Sequence, residues 1–207
     1  MIGNEIMKKT TIVLLAIIFV IFFRFNNAEA QYLSVGIQGG YSLPVDSYFD
    51  GGLNYGIEFE NFFNKYIGIG LGFYYTNWSQ GDYDLAYMPL FAHFKFRIPF
   101  TEFGNGGRIS MGGLIGAGIV FEKFSYERYF YDPYYPQDYE IKGENTNEEF
   151  GMTTGLNFEF KFNRFIGLVY SSRYTFVEDI DNAYIDFLLG FHFHFGKSAD
   201  DSYDDFF

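Results

Sequence analysis

The chain carries three histidines, His93, His192 and His194, and imidazoles are the natural place to look for a general base or a metal ligand. His192 and His194 alternate on one extended segment, which sets both rings on one face about 7 Å apart at the strand rise. With Glu or Asp they supply the donor types of a metal site. No third ligand stands at a diagnostic spacing, and no serine adjoins any of the three. Neither a metal centre nor a nucleophile–base relay can be assembled from that pattern. The reading is therefore no metal, no cofactor and no catalytic group, with the histidines as structural residues. The chain has no cysteine, which removes thiolate chemistry, disulfides and lipoprotein acylation.

A second set is ionic. Glu58, Glu60, His93, Lys95, Arg97, Glu159, Lys161, Arg173 and Asp186 share the same alternate positions of extended segments, opposite an apolar face. Charges gathered on an enclosed face must be paired and hydrogen-bonded or they cost several kcal/mol each. An internal network of acids and bases with trapped water is predicted.

Strands must position these residues. The composition holds 29 Phe, 19 Tyr and 24 Gly in 207 residues, which suits sheet and argues against helix. Eight alternating stretches follow one another: Tyr32–Tyr41, Leu53–Phe62, Tyr66–Asn77, Leu85–Ile98, Arg108–Phe121, Glu149–Phe162, Phe165–Thr175 and Ala183–Phe195. Each is near the 9–11 residues that cross a membrane as a tilted strand. Connections after the even strands are short: Asn64-Lys65, Pro99 to Gly107, and Asn163-Arg164. Those after the odd strands are Ser42–Gly52, Trp78–Asp84, Glu122–Glu148 and Phe176–Asn182. Short turns on one side and longer loops on the other are the pattern of outer-membrane barrels. The turn Phe63-Asn64-Lys65-Tyr66-Ile67-Gly68 is echoed by Phe162-Asn163-Arg164-Phe165-Ile166-Gly167, read as recurring hairpin chemistry.

The two faces of each strand decide between a soluble and a membrane barrel. One face of the last strand is Ile185, Phe187, Leu189, Phe191, Phe193 and Phe195; the other is Tyr184, Asp186, Leu188, Gly190, His192 and His194. The third strand splits into Ile67, Ile69, Leu71 and Phe73 against Gly68, Gly70 and Gly72. Repeated glycines make a poor water-facing surface. They fit the lumen of a small barrel, which is only just wide enough for side chains. Tyr41, Tyr75, Phe121 and Tyr174 mark one end of the apolar face and Phe59, Phe96, Phe160 and Phe195 the other, as paired interfacial girdles. The fold class predicted is all-β, an eight-stranded antiparallel up-and-down transmembrane β-barrel, its lumen too full for a diffusion pore.

Residues 1–30 read as a secretory signal peptide. Lys8 and Lys9 precede the apolar run Ile12–Phe23, and Ala28-Glu29-Ala30 gives the small residues of a cleavage site before Gln31. Residues 31–196 form the barrel, and 197–207 an acidic periplasmic tail. The net charge of −12 excludes nucleic-acid binding driven by phosphate attraction. The longest connection, Glu122–Glu148, is tyrosine-rich. Tyr126, Tyr129, Tyr131, Tyr134 and Tyr135 offer rigid area with a polar tip, suited to a protein or surface ligand.

The run Gly190-Phe191-His192-Phe193-His194-Phe195 resembles the assembly signal of outer-membrane barrels, with Gly190, Phe193 and Phe195 as its elements. It departs from the pattern in two places: Leu188 stands where a polar residue is usual, and 196–207 follow where the chain normally ends. Gln38-Gly39-Gly40 and Met88-Pro89-Leu90 are similar to segments of outer-membrane β-barrel proteins of the porin-family and PorT-like group, with OmpA/OmpX-type eight-stranded barrels. The resemblance spans 31–196. It implies the fold, the outer membrane of a Gram-negative cell envelope, contact with outer-membrane lipid, and insertion by the barrel assembly machinery. It implies no reaction. The function expected is a structural, adhesive or partner-docking role through the connection 122–148. The alternatives are a component of a secretion or envelope-assembly complex and an outer-membrane lipid-modifying enzyme.

Overall fold

The computed structural model describes residues 32–45, 49–104, 106–132, 135–178 and 182–195. The proposed signal peptide, the acidic tail and Tyr134 lie outside the described residues. The strands are β1 (Tyr32–Val45), β2 (Gly52–Phe62), β3 (Ile67–Gln80), β4 (Tyr83–Phe103), β5 (Gly107–Asp132), β6 (Tyr135–Lys161), β7 (Ile166–Val177) and β8 (Asn182–Phe195). Every neighbour pair is antiparallel, and β8 returns to β1, closing the barrel. The closing seam runs from Leu33↔Phe195 to Val45↔Ala183, so in this stretch no strand edge is left open.

Period-two alternation becomes inside and outside. Ser34, Gln38, Glu58, His93, Lys95 and Asp186 are buried in the lumen, while Ile37, Tyr55, Phe73, Phe94, Leu156 and Leu189 are exposed. The outward positions of all eight strands carry no charge between the two girdles of aromatic residues.

Glycine sets the bore. A Cβ on Gly36 would stand 2.4 Å from Nε2 of His192, and one on Gly116 would stand 2.4 Å from Cδ2 of His93. The two imidazoles occupy space that those positions leave vacant. At the even-numbered turns, Asn64 Oδ1 accepts from the amides of Tyr66 and Ile67 at 2.8 and 2.9 Å. Asn163 Oδ1 accepts in the same way from Phe165 and Ile166, at 2.8 and 3.2 Å. The repeated sequence is thus one Asx-turn device used twice.

The connections correct the sequence reading in two places. Trp78–Asp84 is not a loop: β3 and β4 stay paired out to Gln80↔Tyr83, and Gly81, at φ 60°, makes the turn. The segment Glu122–Glu148 is not a loop either. β5 and β6 continue as a paired hairpin through Phe121↔Glu148 to Phe130↔Tyr139 and Asp132↔Tyr135. The reason is solvent. Beyond Phe121 and Phe150 both faces of the hairpin can be polar, so the apolar alternation stops although backbone pairing does not. β5 outlasts β4, whose last pair on that side is Tyr83↔Tyr126, and β6 outlasts β7, whose last pair is Gly151↔Val177. From Glu122 to Asp132 the hairpin extends along a path of about 35 Å at the strand rise.

Candidate functional site

The lumen is layered. At the end where β1 begins and β8 finishes, beside the Asx turns, Glu159 is the centre of one cluster. Arg97 Nη1 donates to Glu159 Oε2 at 3.1 Å, Arg108 Nη2 lies 3.5 Å from it, and Ser110 donates at 3.2 Å. His194 Nε2 stands 3.0 Å from the other carboxylate oxygen, and the Arg97 guanidinium lies 3.9 Å above the Phe62 ring. Lys161 is buried in the same layer.

Glu58 is the hub of the middle layer. Lys95 Nζ donates to both of its oxygens at 3.0 Å, and Arg173 Nη2 approaches to 3.0 Å from the far wall. Gln38 donates to it at 2.7 Å and His93 lies at 3.5 Å. Lys95 also donates to Glu60, which takes a further bond from Ser34 at 3.2 Å. Arg173 also donates to Gln38 Oε1 at 3.2 Å and stacks 4.7 Å from the Tyr74 ring. The predicted residues therefore fall into two clusters, with Asp186 apart. Asp186 pairs in register with Arg173, and its Oδ1 has no hydrogen-bond partner among the described residues. His192 and His194, singled out by sequence as structural histidines, join the clusters; Arg108, Ser34 and Gln38 also belong to them and were not singled out by sequence. Arg108 opens a strand, where alternation is hardest to read, and the short polar residues carry no charge to mark them.

Two chemistries need testing against this geometry. Ligand atoms of Glu58, Glu60 and His192 lie within 4.8 Å of one another. The Lys95 ammonium bridges the two carboxylates from inside that set, where a divalent ion would have to displace it. No serine adjoins a histidine in sequence, but the fold brings one alongside: Ser34 Oγ is 3.3 Å from His192 Nδ1, because β1 and β8 meet across the closing seam. Glu60 approaches the same Nδ1 at 3.4 Å, while Nε2 faces Gln38 at 2.9 Å. A hydrolytic relay needs the acid on one ring nitrogen and the hydroxyl on the other. Ser34 is fully buried besides, and the adjoining cavity, lined by Glu60, Lys95, Arg97, Glu159 and His192, has a volume of about 30 Å³. That is room for a water or two and none for a substrate.

Above the ionic layers lies an apolar plug. Trp78 meets Tyr87 edge-on at 5.0 Å and Tyr184 at 5.3 Å, with Leu85, Phe91, Val120 and Val177 packed around them. Trp78 Nε1 donates to the Ser42 carbonyl at 3.2 Å, so the indole is satisfied while sealed. Trp78 is the chain's one tryptophan, and its emission reports on this plug alone. We expect a blue-shifted spectrum that resists acrylamide quenching. Emission and quenching like those of free tryptophan would show an open mouth.

Phe124 packs on the plug from the base of the hairpin and stacks on Tyr83 at 5.9 Å. The outward face of the hairpin is ionic, with Lys123 to Glu144 at 3.1 Å and Lys142 to Glu127 at 2.9 Å. A hollow of about 280 Å³ lies between the start of β4 and the hairpin, lined by Asp84, Ser125, Tyr126, Glu127, Lys142 and Glu144. Of the tyrosines expected to form one loop surface, Tyr126 lies in that hollow, and Tyr129, Tyr131 and Tyr135 are distributed along the two strands.

Comparison with solved structures gives a match to Ail, the attachment invasion locus protein of Yersinia pestis. The TM-score is 0.52 at 19% identity, covering 81% of this chain and 100% of that one. The fold is that of an eight-stranded outer-membrane β-barrel. The outer-membrane protein OprG from Pseudomonas aeruginosa matches at TM-score 0.49 and 13% identity, covering 82% of this chain and 98% of that one. Neisserial surface protein A matches at TM-score 0.46 and 14% identity, covering 80% and 97%. No protein-family model and no curated protein sequence matches the chain. The barrel is therefore recognised by shape, and the β5–β6 hairpin is the part that rises out of it.

Proposed function

We propose that this chain is an outer-membrane barrel of a Gram-negative envelope, non-catalytic, which docks a partner at the cell surface through the β5–β6 hairpin. The observation that carries the reading is the change in outward chemistry along that hairpin. It is apolar up to Phe121 and Phe150, then ionic from Lys123 and Glu148 onward. An apolar girdle of this kind fits hydrocarbon, and the hairpin beyond it is solvated structure held rigid by cross-strand pairs. A rigid projection loses little entropy on docking. Signal-peptide cleavage before Gln31 and insertion by the barrel assembly machinery belong to the same reading. Phe193 and Phe195 stand exposed on the outward face of β8, available as an assembly signal. Gly190 has a packing role as well, since a Cβ there would stand 2.1 Å from the Ile37 carbonyl.

Deleting 123–147 and joining the strands with a tight turn tests the docking role. The shortened barrel should still insert and still run heat-modifiably on a gel, while cells lose adhesion to host or neighbour surfaces. Unchanged adhesion, with the shortened barrel at the surface, would refute the role of the hairpin.

A further inference from the structure

We infer that the two Asx turns at the short-turn end of the barrel are matched seats for the phosphate of an anionic phospholipid, taken by Lys65 and Arg164. The inference rests on the membrane reading above and names a lipid class for it. Both turns follow one plan. An asparagine, Asn64 or Asn163, fixes the backbone through two amides, and a cation and then an aromatic ring follow it. The Lys65 ammonium lies 5.3 Å from the centre of the Tyr66 ring, and the Arg164 guanidinium lies 4.6 Å from that of Phe165. Both rings are exposed. A ring holds a cation in place without cancelling its charge. At Arg164 a neighbouring turn adds to the hold. The β4–β5 turn comes up beside it, where a Cβ on Gly106 would stand 3.3 Å from the Arg164 Cβ.

Depth and charge select the ligand. Phe103 packs on Phe160 at 5.7 Å and Phe160 on Phe162 at 5.1 Å, so the aromatic belt runs up to the turn that carries Arg164. Such belts sit at the level of the lipid headgroups, where the long arms of Lys and Arg reach the interface. Among the described residues no carboxylate forms an ion pair with Arg164. Glu102 is the one exposed carboxylate described at this end. At the opposite end Asp50, Asp82, Asp84 and Glu178 are all exposed. The surface is thus basic where the turns are short and acidic where the hairpin rises. A guanidinium held in place takes a phosphate through two parallel N–H bonds. A zwitterionic lipid brings its own ammonium to the same spot and gains less.

The test places the full chain in nanodiscs of phosphatidylcholine and phosphatidylglycerol in equal amounts. Native mass spectrometry then counts the lipids retained on release. Phosphatidylglycerol should be preferred by about fivefold at each seat, the effect of one basic side chain at a lipid surface. Lys65→Gln with Arg164→Gln should bring the two lipids to parity, while Lys123→Gln with Lys142→Gln on the hairpin leaves the preference unchanged. Tyr66→Leu with Phe165→Leu keeps both charges and should lower the preference by about twofold or more. Heat-modifiable migration shows that each variant is folded. A preference that survives loss of the rings would reduce the seats to plain surface charge and overturn them. So would parity on the unchanged barrel. A preference seen only when the chain is cut after Gly196 would give the cations to the acidic segment 197–207 and overturn the lipid as occupant. Parity on a barrel that has entered the nanodisc removes this inference alone; a chain that enters no bilayer removes the membrane reading with it.

Discussion

Glu58→Leu should lower the unfolding free energy of the barrel by about 3–5 kcal/mol, the range for leaving buried charge without its partner. The cause is local and specific. Lys95 and Arg173 both point at the Glu58 carboxylate from opposite walls, each at 3.0 Å, and all three side chains are buried. Removing the carboxylate leaves the Arg173 guanidinium with Gln38 Oε1 and Ser171 Oγ as neutral acceptors, at 3.2 and 3.4 Å. Lys95 retains Glu60. Lys142→Leu on the hairpin removes an ion pair of similar length but exposed on both sides, and should cost less than about 1 kcal/mol. Guanidinium titration in detergent, followed by Trp78 emission, separates the two. A loss for Glu58→Leu no larger than for Lys142→Leu would mean that water, not protein, solvates the lumen charges.

Leu189→Arg should cost about 2–4 kcal/mol in lipid vesicles, the penalty for a cation at the middle of the lipid-facing wall. Leu189 lies half-way along β8 and is exposed, between Phe187 and Phe191 on the same face. Ser125→Arg, outward on the hairpin beyond the apolar belt, should change stability by less than about 0.5 kcal/mol, as an ordinary surface substitution does. Equilibrium unfolding from vesicles reads both. Equal costs at the two positions would show that the exposed apolar face does not lie in hydrocarbon, and the outer-membrane assignment would fall with it.

Strand number and the inside–outside choice were legible because both are written with period two. An apolar residue at every second position, with glycine or charge between, leaves one arrangement in which neither face is wasted. The same rule explains where the sequence went silent. Past Phe121 and Phe150 the outward face of the β5–β6 hairpin turns ionic, so the apolar alternation that marks a spanning strand stops there and the segment was read as a loop. Trp78 was assigned to a loop for a related reason. It closes the mouth of the lumen, inward and buried, just past the point where its strand had seemed to end.

By itself the sequence determined that the chain is all-β, how many strands it has, which side of each faces outward, and most of the charges that face in. Tertiary structure alone decided who meets whom. Arg173 reaches Glu58 across the bore from β7 to β2, and Ser34 reaches His192 across the closing seam. Those contacts depend on the stagger at which the eight strands close, a property of the ring as a whole that no single stretch of chain carries. The length of the hairpin was decided in the same way, by β4 and β7 stopping while β5 and β6 continue to pair with each other.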